Sequence, residues 1–129
     1  MVRNPVDVLT TAMLDHLYVG VSDLARSAAF YAGALKPLGI SELFRRPDDI
    51  AFGSDGKPCF FVRAGGGREP MHVAFTSPDR ATVDRFHAAA LESGGHDNGR
   101  PGCREYHPRY YGAFVLDPDG HNVEAVCHH

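Results

Sequence analysis

The chain of 129 residues contains no tryptophan and only three cysteines. Cys59, Cys103 and Cys127 are odd in number and form no C-x-x-C pair, which argues against a disulfide framework or a zinc knuckle. The expected setting is a reducing, cytoplasmic one. No run of about 18 apolar residues exists, so no membrane span is expected. Met1-Val2-Arg3-Asn4-Pro5 lacks the apolar stretch of a secretory signal. A strong charge bias is missing too: the formal net charge is −3, and basic residues are scattered apart from Arg45-Arg46 and a loose group at Arg100, Arg104 and Arg109. Nucleic acid and membranes call for clustered cations and are not expected partners. There is no G-x-x-x-x-G-K-[ST], no G-x-G-x-x-G after a strand and no G-x-S-x-G elbow, which sets nucleotide and serine-hydrolase chemistry aside.

What is present is an ordinary globular composition, 43% hydrophobic and 22% charged, at a length that suits one domain with a real core. The organising feature is an internal repeat. At one constant offset, His16 meets His72, Asp23 meets Asp79, Phe30 meets Phe86, Leu35 meets Leu91 and Gly39 meets Gly95. Matches in a single ungapped register indicate duplication, and duplication dictates architecture. Each copy opens on a short alternating strand, residues 14–19 and 71–76, with His16 and His72 on the face opposite the apolar residues. A helix follows in each, beginning near Ser22-Asp23 and near Ser77-Pro78-Asp79. The stripes are Leu24, Ala28, Tyr31 and Leu35 in the first helix, and Val83, Phe86, Ala90 and Leu91 in the second. Strand-like runs come next: 41–44, 50–52 and 59–62 in the first copy, 110–116 and 122–127 in the second. The segment 64–70 between the copies, with Gly65-Gly66-Gly67, reads as a flexible joint. The pattern is β-α-β-β-β twice, an α+β fold in a single domain, with modules at about 14–63 and 70–127.

Chemistry is expected where the copies meet. His16 and His72 hold equivalent places, so a pseudo-two-fold would bring them together. Glu124 lies among Val123, Ala125 and Val126, where a carboxylate is costly unless paired or coordinated. Two imidazoles and one carboxylate suit a divalent ion and leave open positions for substrate. Aligning the turn Asp55-Gly56 on Asp119-Gly120 sets Phe60 on Glu124. A slip of one residue sets Cys59 or Phe61 there instead.

The stretch from Asp15 to Leu24 (Asp15-His16-Leu17-Tyr18-Val19-Gly20-Val21-Ser22-Asp23-Leu24), with Ser27, Phe30-Tyr31 and Leu38-Gly39, resembles the opening of the vicinal oxygen chelate superfamily. The end, from Phe114 through Asp117-Pro118-Asp119-Gly120 to Glu124, is similar to that superfamily's final hairpin and strand. The resemblance implies paired βαβββ modules forming a cleft, commonly in a homodimer. It also implies one divalent metal (Fe, Mn, Ni or Zn) on His16, His72 and Glu124, with a fourth ligand position at about Phe60. Phenylalanine cannot coordinate, so a glyoxalase with four protein ligands fits less well than members with three.

The segment from Arg104 to Tyr111 could supply a general base (His107), a phenol (Tyr110 or Tyr111) and an anion clamp (Arg104 or Arg109). The candidate catalytic set is Glu124, His107 and Tyr111. His121 and His87 are expected to be solvated, and the terminal His128 and His129 receive no weight. The leading expectation is a metal-dependent lyase or dioxygenase acting on a small substrate chelated through vicinal oxygens. The alternative is a metal-free drug-binding or metabolite-binding protein of the bleomycin-resistance type.

Overall fold

A computed structural model describes residues 13–65 and 69–129. The N-terminal pentapeptide and residues 66–68 of the expected joint lie outside the described residues. In chain order the elements are β1 (Leu17–Val21), α1 (Leu24–Leu35), β2 (Ser41–Arg45), β3 (Asp49–Ser54), β4 (Lys57–Ala64), β5 (His72–Thr76), α2 (Arg80–Glu92), β6 (His96–Cys103), β7 (Tyr111–Leu116) and β8 (Asn122–Cys127). A 3₁₀ turn, Lys36–Leu38, follows α1 and closes on Gly39 in the left-handed region.

Two four-stranded sheets form with the same strand order, β1-β4-β3-β2 and β5-β8-β7-β6. In each, the first strand runs parallel to the last and the remaining pairs are antiparallel. This is the duplicated βαβββ architecture expected from the repeat. Both helices start on an aspartate cap: the Asp23 carboxylate accepts from the Arg26 amide at 3.0 Å, and that of Asp79 from the Thr82 amide at 2.8 Å. Among the described residues no helix is long and apolar enough to cross a membrane.

β6 is the element that the sequence pattern did not reveal. Its residues, His-Asp-Asn-Gly-Arg-Pro-Gly-Cys, are poor strand formers, and its pairing with β7 slips twice, between Asp97 and Gly99 and between Gly99 and Gly102. It is an edge strand, where proline and glycine are tolerated because one side needs no ladder.

One apolar cluster joins both modules. It gathers Val19, Phe30, Leu35, Phe52, Phe60 and Val62 from the first with Val73, Val83, Phe86, Val115, Val123 and Ala125 from the second. The Phe60 and Phe75 rings meet at 5.4 Å within it. Each sheet thus turns one face to the helices and the shared core, and its opposite face away. Leu91, expected in the helix stripe, is exposed, while His87 takes the buried side and pairs with Asp97 at 2.9 Å.

His121, expected to be exposed, is a buried bridge between the modules. Its Nδ1 accepts from the Met71 amide at 2.9 Å, and its Nε2 faces the Gly20 carbonyl at 2.8 Å. An Nδ1 that accepts leaves Nε2–H to donate, so the ring is held in one tautomer. Nearby, the Tyr31 hydroxyl donates to buried Asp117 at 2.6 Å. Burial and that carboxylate push the Tyr31 phenol well above its usual range.

Candidate functional site

On the second sheet, Val73 and Phe75 of β5 and Val123 and Ala125 of β8 face the core. Alternation therefore puts His72 and Glu124 together on the open face. His72 Nε2 and Glu124 Oε1 are 2.8 Å apart. The Tyr110 hydroxyl donates to the other carboxylate oxygen, Oε2. Glu124 is only 1% exposed, whereas the His72 side chain is 54% exposed. A buried carboxylate needs such partners, and both of its oxygens have them.

Gly112 makes room for this pair. A Cβ there would stand 3.2 Å from Glu124 Oε2 and 3.2 Å from Tyr110 Cε1. Burial, and then the hydrogen bond to Glu124, push the Tyr110 phenol up to about 12. Tyr110 therefore stays a proton donor throughout the neutral range.

Two of the catalytic candidates lie apart from Glu124. Tyr111 points to the helix side, where its hydroxyl donates to Asp84 on α2 at 2.6 Å and Arg80 lies 5.0 Å from its ring. Adjacent strand residues face opposite ways, so Tyr110 and Tyr111 cannot share a face. His107 does not bond to Glu124. Its Nδ1 accepts from the Arg109 amide at 3.1 Å, its Nε2 meets His128 Nδ1 at 2.8 Å, and its ring lies 5.5 Å from that of Tyr110. His128, which received no weight, thus packs behind the tyrosine. Arg104 is spent on the loop: it donates to the carbonyls of Gly102 at 2.9 Å and Arg100 at 2.7 Å.

His16 lies just before β1, on the open face of the first sheet. Its Nδ1 is 2.7 Å from Asp15 Oδ2, and its Nε2 has no hydrogen-bond partner among the described residues. Its neighbours are aromatic, Tyr18 at 5.8 Å and Phe61 at 5.6 Å between ring centroids. His16 and His72 occupy matching positions on two different sheets, each on the face turned from the shared core. Among the described residues no three His, Cys, Asp or Glu side chains converge to hold a metal. One chain therefore brings His72 and Glu124 together but does not add His16.

The fourth position also needs correction. Tyr18 pairs with Phe61 as Ala74 pairs with Glu124, so Phe61 and not Phe60 is the counterpart of Glu124. The cause is one extra residue. Gly53 pairs with Pro58 and Phe52 with Phe60, which leaves Cys59 as a bulge on β4. Gly53 permits this, since a Cβ there would fall 1.8 Å from the Lys57 carbonyl oxygen. The two Asp-Gly turns also differ in kind. Asp55 and Gly56 both have positive φ (52° and 73°), the two-residue hairpin form, whereas only Gly120 does in the second turn.

The first donor pair can be tested against a divalent ion. Cis ligands about 2.1 Å from an ion lie about 3 Å apart, close to the His72–Glu124 separation. The spacing of those two donors fits adjacent positions on such an ion.

The family model described as Glyoxalase/Bleomycin resistance protein/Dioxygenase superfamily matches residues 13–125. The chain belongs to that superfamily. Among solved structures, a glyoxalase/bleomycin resistance protein from Albidiferax ferrireducens T118 is 28% identical, with a TM-score of 0.77 over 90% of this chain and 98% of that one. A family enzyme from Burkholderia phytofirmans PsJN (20% identity, TM-score 0.72, 92% and 100% covered) shares the fold. So does a lactoylglutathione lyase from Agrobacterium tumefaciens (17% identity, TM-score 0.68, 91% and 93% covered). No functionally curated protein matches the sequence.

Proposed function

We propose that the protein is a metal-dependent enzyme acting on a small substrate through two adjacent oxygens, with its metal centre shared between two copies of the chain. His72 and Glu124 come from one copy and His16 from the other. The observation that carries this reading is the split of the donors. His72 Nε2 and Glu124 Oε1 converge at 2.8 Å on one open face, while His16, oriented by Asp15, stands on the other. A homodimer with two-fold symmetry meets both needs at once, since the same operation that brings His16 to Glu124 makes a second, identical site.

Fe, Mn, Ni and Zn all accept imidazole and carboxylate, and such an ion when bound supplies Lewis acidity to substrate oxygens. The protein's own groups do the rest. Tyr110 holds one oxygen of Glu124 and leaves the other for the ion. Gly112 keeps the space around the carboxylate, and Phe114, 6.0 Å from the His72 ring, forms an apolar wall. The chain carries its chemistry in the cytoplasm, with no nucleic acid or membrane partner.

A second reading, a metal-free binding protein, is favoured by Phe61 standing where a fourth ligand would be. Elemental analysis after native purification separates the two. His16→Ala and Glu124→Ala should each lose the metal. Refolding the two variants together should restore about a quarter of the sites, since half of the dimers are mixed and each has one intact site. Equal metal in wild type and both variants would remove the proposal, and lost metal without recovery on mixing would remove the shared site.

A further inference from the structure

Three glycines leave a clearing on the open face of the second sheet, beside His72 and Glu124. Gly112 of β7 and Gly99 and Gly102 of β6 have no side chain to place there, and the segment joining β6 to β7 fills the space. Tyr110 covers Gly112, while the Arg104 guanidinium covers the other two. A Cβ at Gly99 would stand 3.2 Å from Arg104 Nη2, and one at Gly102 would stand 3.2 Å from Nη1. The guanidinium carbon lies 5.2 Å from the centre of the Phe114 ring, which is itself 6.0 Å from the His72 ring. Gly99 pairs with Phe114, and Phe114 pairs with Glu124. Arg104 thus takes the place of a side chain two strands away from Glu124, about 10 Å across the sheet. It is close enough to Tyr110 to offset part of the upward shift of that phenol.

The loop uses only part of this group. Of the five N–H groups of an arginine, three are given to backbone carbonyls: Nη1 donates to Gly102 at 2.9 Å and Cys103 at 3.4 Å, and Nη2 to Arg100 at 2.7 Å. Nε–H and one N–H of Nη2 have no partner among the described residues. Nε and Nη2 are the pair by which Arg45 holds Glu42 and Arg46 holds Asp49, all at 2.7 to 2.8 Å. Arg104 makes no such ion pair among the described residues, and its exposed neighbour Glu105 does not bond to it. The carbonyl bonds fix the guanidinium in advance, so a ligand need not bear the cost of ordering it.

We infer that Arg104 is a specificity residue of the proposed centre, and that it selects substrates carrying a carboxylate at the end remote from the vicinal oxygens. The oxygens reach the ion at His72 and Glu124, the middle of the substrate crosses Phe114, and the carboxylate pairs with Nε and Nη2 of Arg104. A planar fork with two unused donors matches a carboxylate in shape and charge. A divalent ion on one carboxylate also keeps net positive charge, and Arg104 adds to it, so the face as a whole favours an anion. The inference rests on the proposed metal centre for the substrate's other end; the arginine and its free donors belong to one chain.

The test uses the natively purified full chain and two probes, 3-(3,4-dihydroxyphenyl)propanoate and its primary amide, which share vicinal oxygens and differ only in the carboxylate. Titration calorimetry should find the acid bound about tenfold more tightly than the amide. The Arg104 Nε–H resonance should shift with the acid and not with the amide. Arg104→Gln should bring the acid down to the level of the amide and leave the amide unchanged, and Arg109→Gln, on the same loop, should leave the preference intact. Equal affinity for the two probes in wild type would overturn the inference. So would equal loss of both in Arg104→Gln, which would make the arginine a staple of the loop and nothing more, or loss of the preference in Arg109→Gln alone. Metal content is read separately on the same samples. Metal retained without a preference for the acid would sink this inference and spare the centre. A preference for the acid, with the Arg104 shift, in a protein that holds no metal would sink the centre and spare the recognition of a carboxylate.

Discussion

Phe61 occupies in the first sheet the register position that Glu124 occupies in the second. The repeat is symmetrical in backbone and asymmetrical in chemistry, with a ring in one half where the other half has a carboxylate. Phe61→Glu should therefore add a carboxylate near His16. The expected outcome is a metal that survives dialysis against a chelator longer than in wild type, checked by elemental analysis. Faster loss than wild type would show that the position does not face the ion.

Tyr110 and Tyr111 should separate cleanly. Tyr110→Phe removes the donor to Glu124 Oε2, and loss of such an outer partner typically weakens metal binding by about 10- to 100-fold. Tyr111→Phe breaks only the bond to Asp84 and should leave affinity within about twofold, since that bond lies on the helix side. Competition with a chromophoric chelator measures both.

Gly112→Ala places a methyl 3.2 Å from both Glu124 Oε2 and Tyr110. The carboxylate must shift by a few tenths of an ångström. Metal affinity should fall more than stability, which should drop by about 1–2 kcal/mol. Denaturant titration and metal titration of the same sample make the comparison.

His121→Ala deletes a buried ring and two bonds that tie the turn before β8 to residues of both modules. The expected loss is about 2–4 kcal/mol, read by denaturant unfolding. A loss under about 0.5 kcal/mol, the range typical of surface sites, would contradict the bridge.

Alkaline stability should depend on Tyr31. Its phenol titrates well above the usual value in the folded chain, chiefly through burial, with Asp117 adding to the shift. The folded state thus keeps a proton that the unfolded state gives up near pH 10. The stabilisation is fully present below that pH and is lost as the pH rises toward the folded value. Tyr31→Phe should be less stable at pH 8, with a shallower decline between pH 9 and 11, followed by thermal melts. Part of the slope should persist, because Tyr110 and Tyr111 are also shifted upward.

The duplicated fold was legible in the residues themselves, because alternation, helix stripes, aspartate caps and Asp-Gly turns are local and occur twice. The pairing of His72 with Glu124 was legible too, since parallel neighbours in a repeated module bring matching faces together. What the residues alone did not determine were features that depend on a single register step or on docking. The bulge at Cys59 exchanges Phe60 for Phe61, and the pleat exchanges Tyr111 for Tyr110, because a slip of one residue reverses every side chain across a sheet. Likewise, whether two equivalent histidines meet depends on which faces the modules bury together, and that was decided by the shared core. Its packing placed His121 inside and turned the faces carrying His16 and His72 away from it.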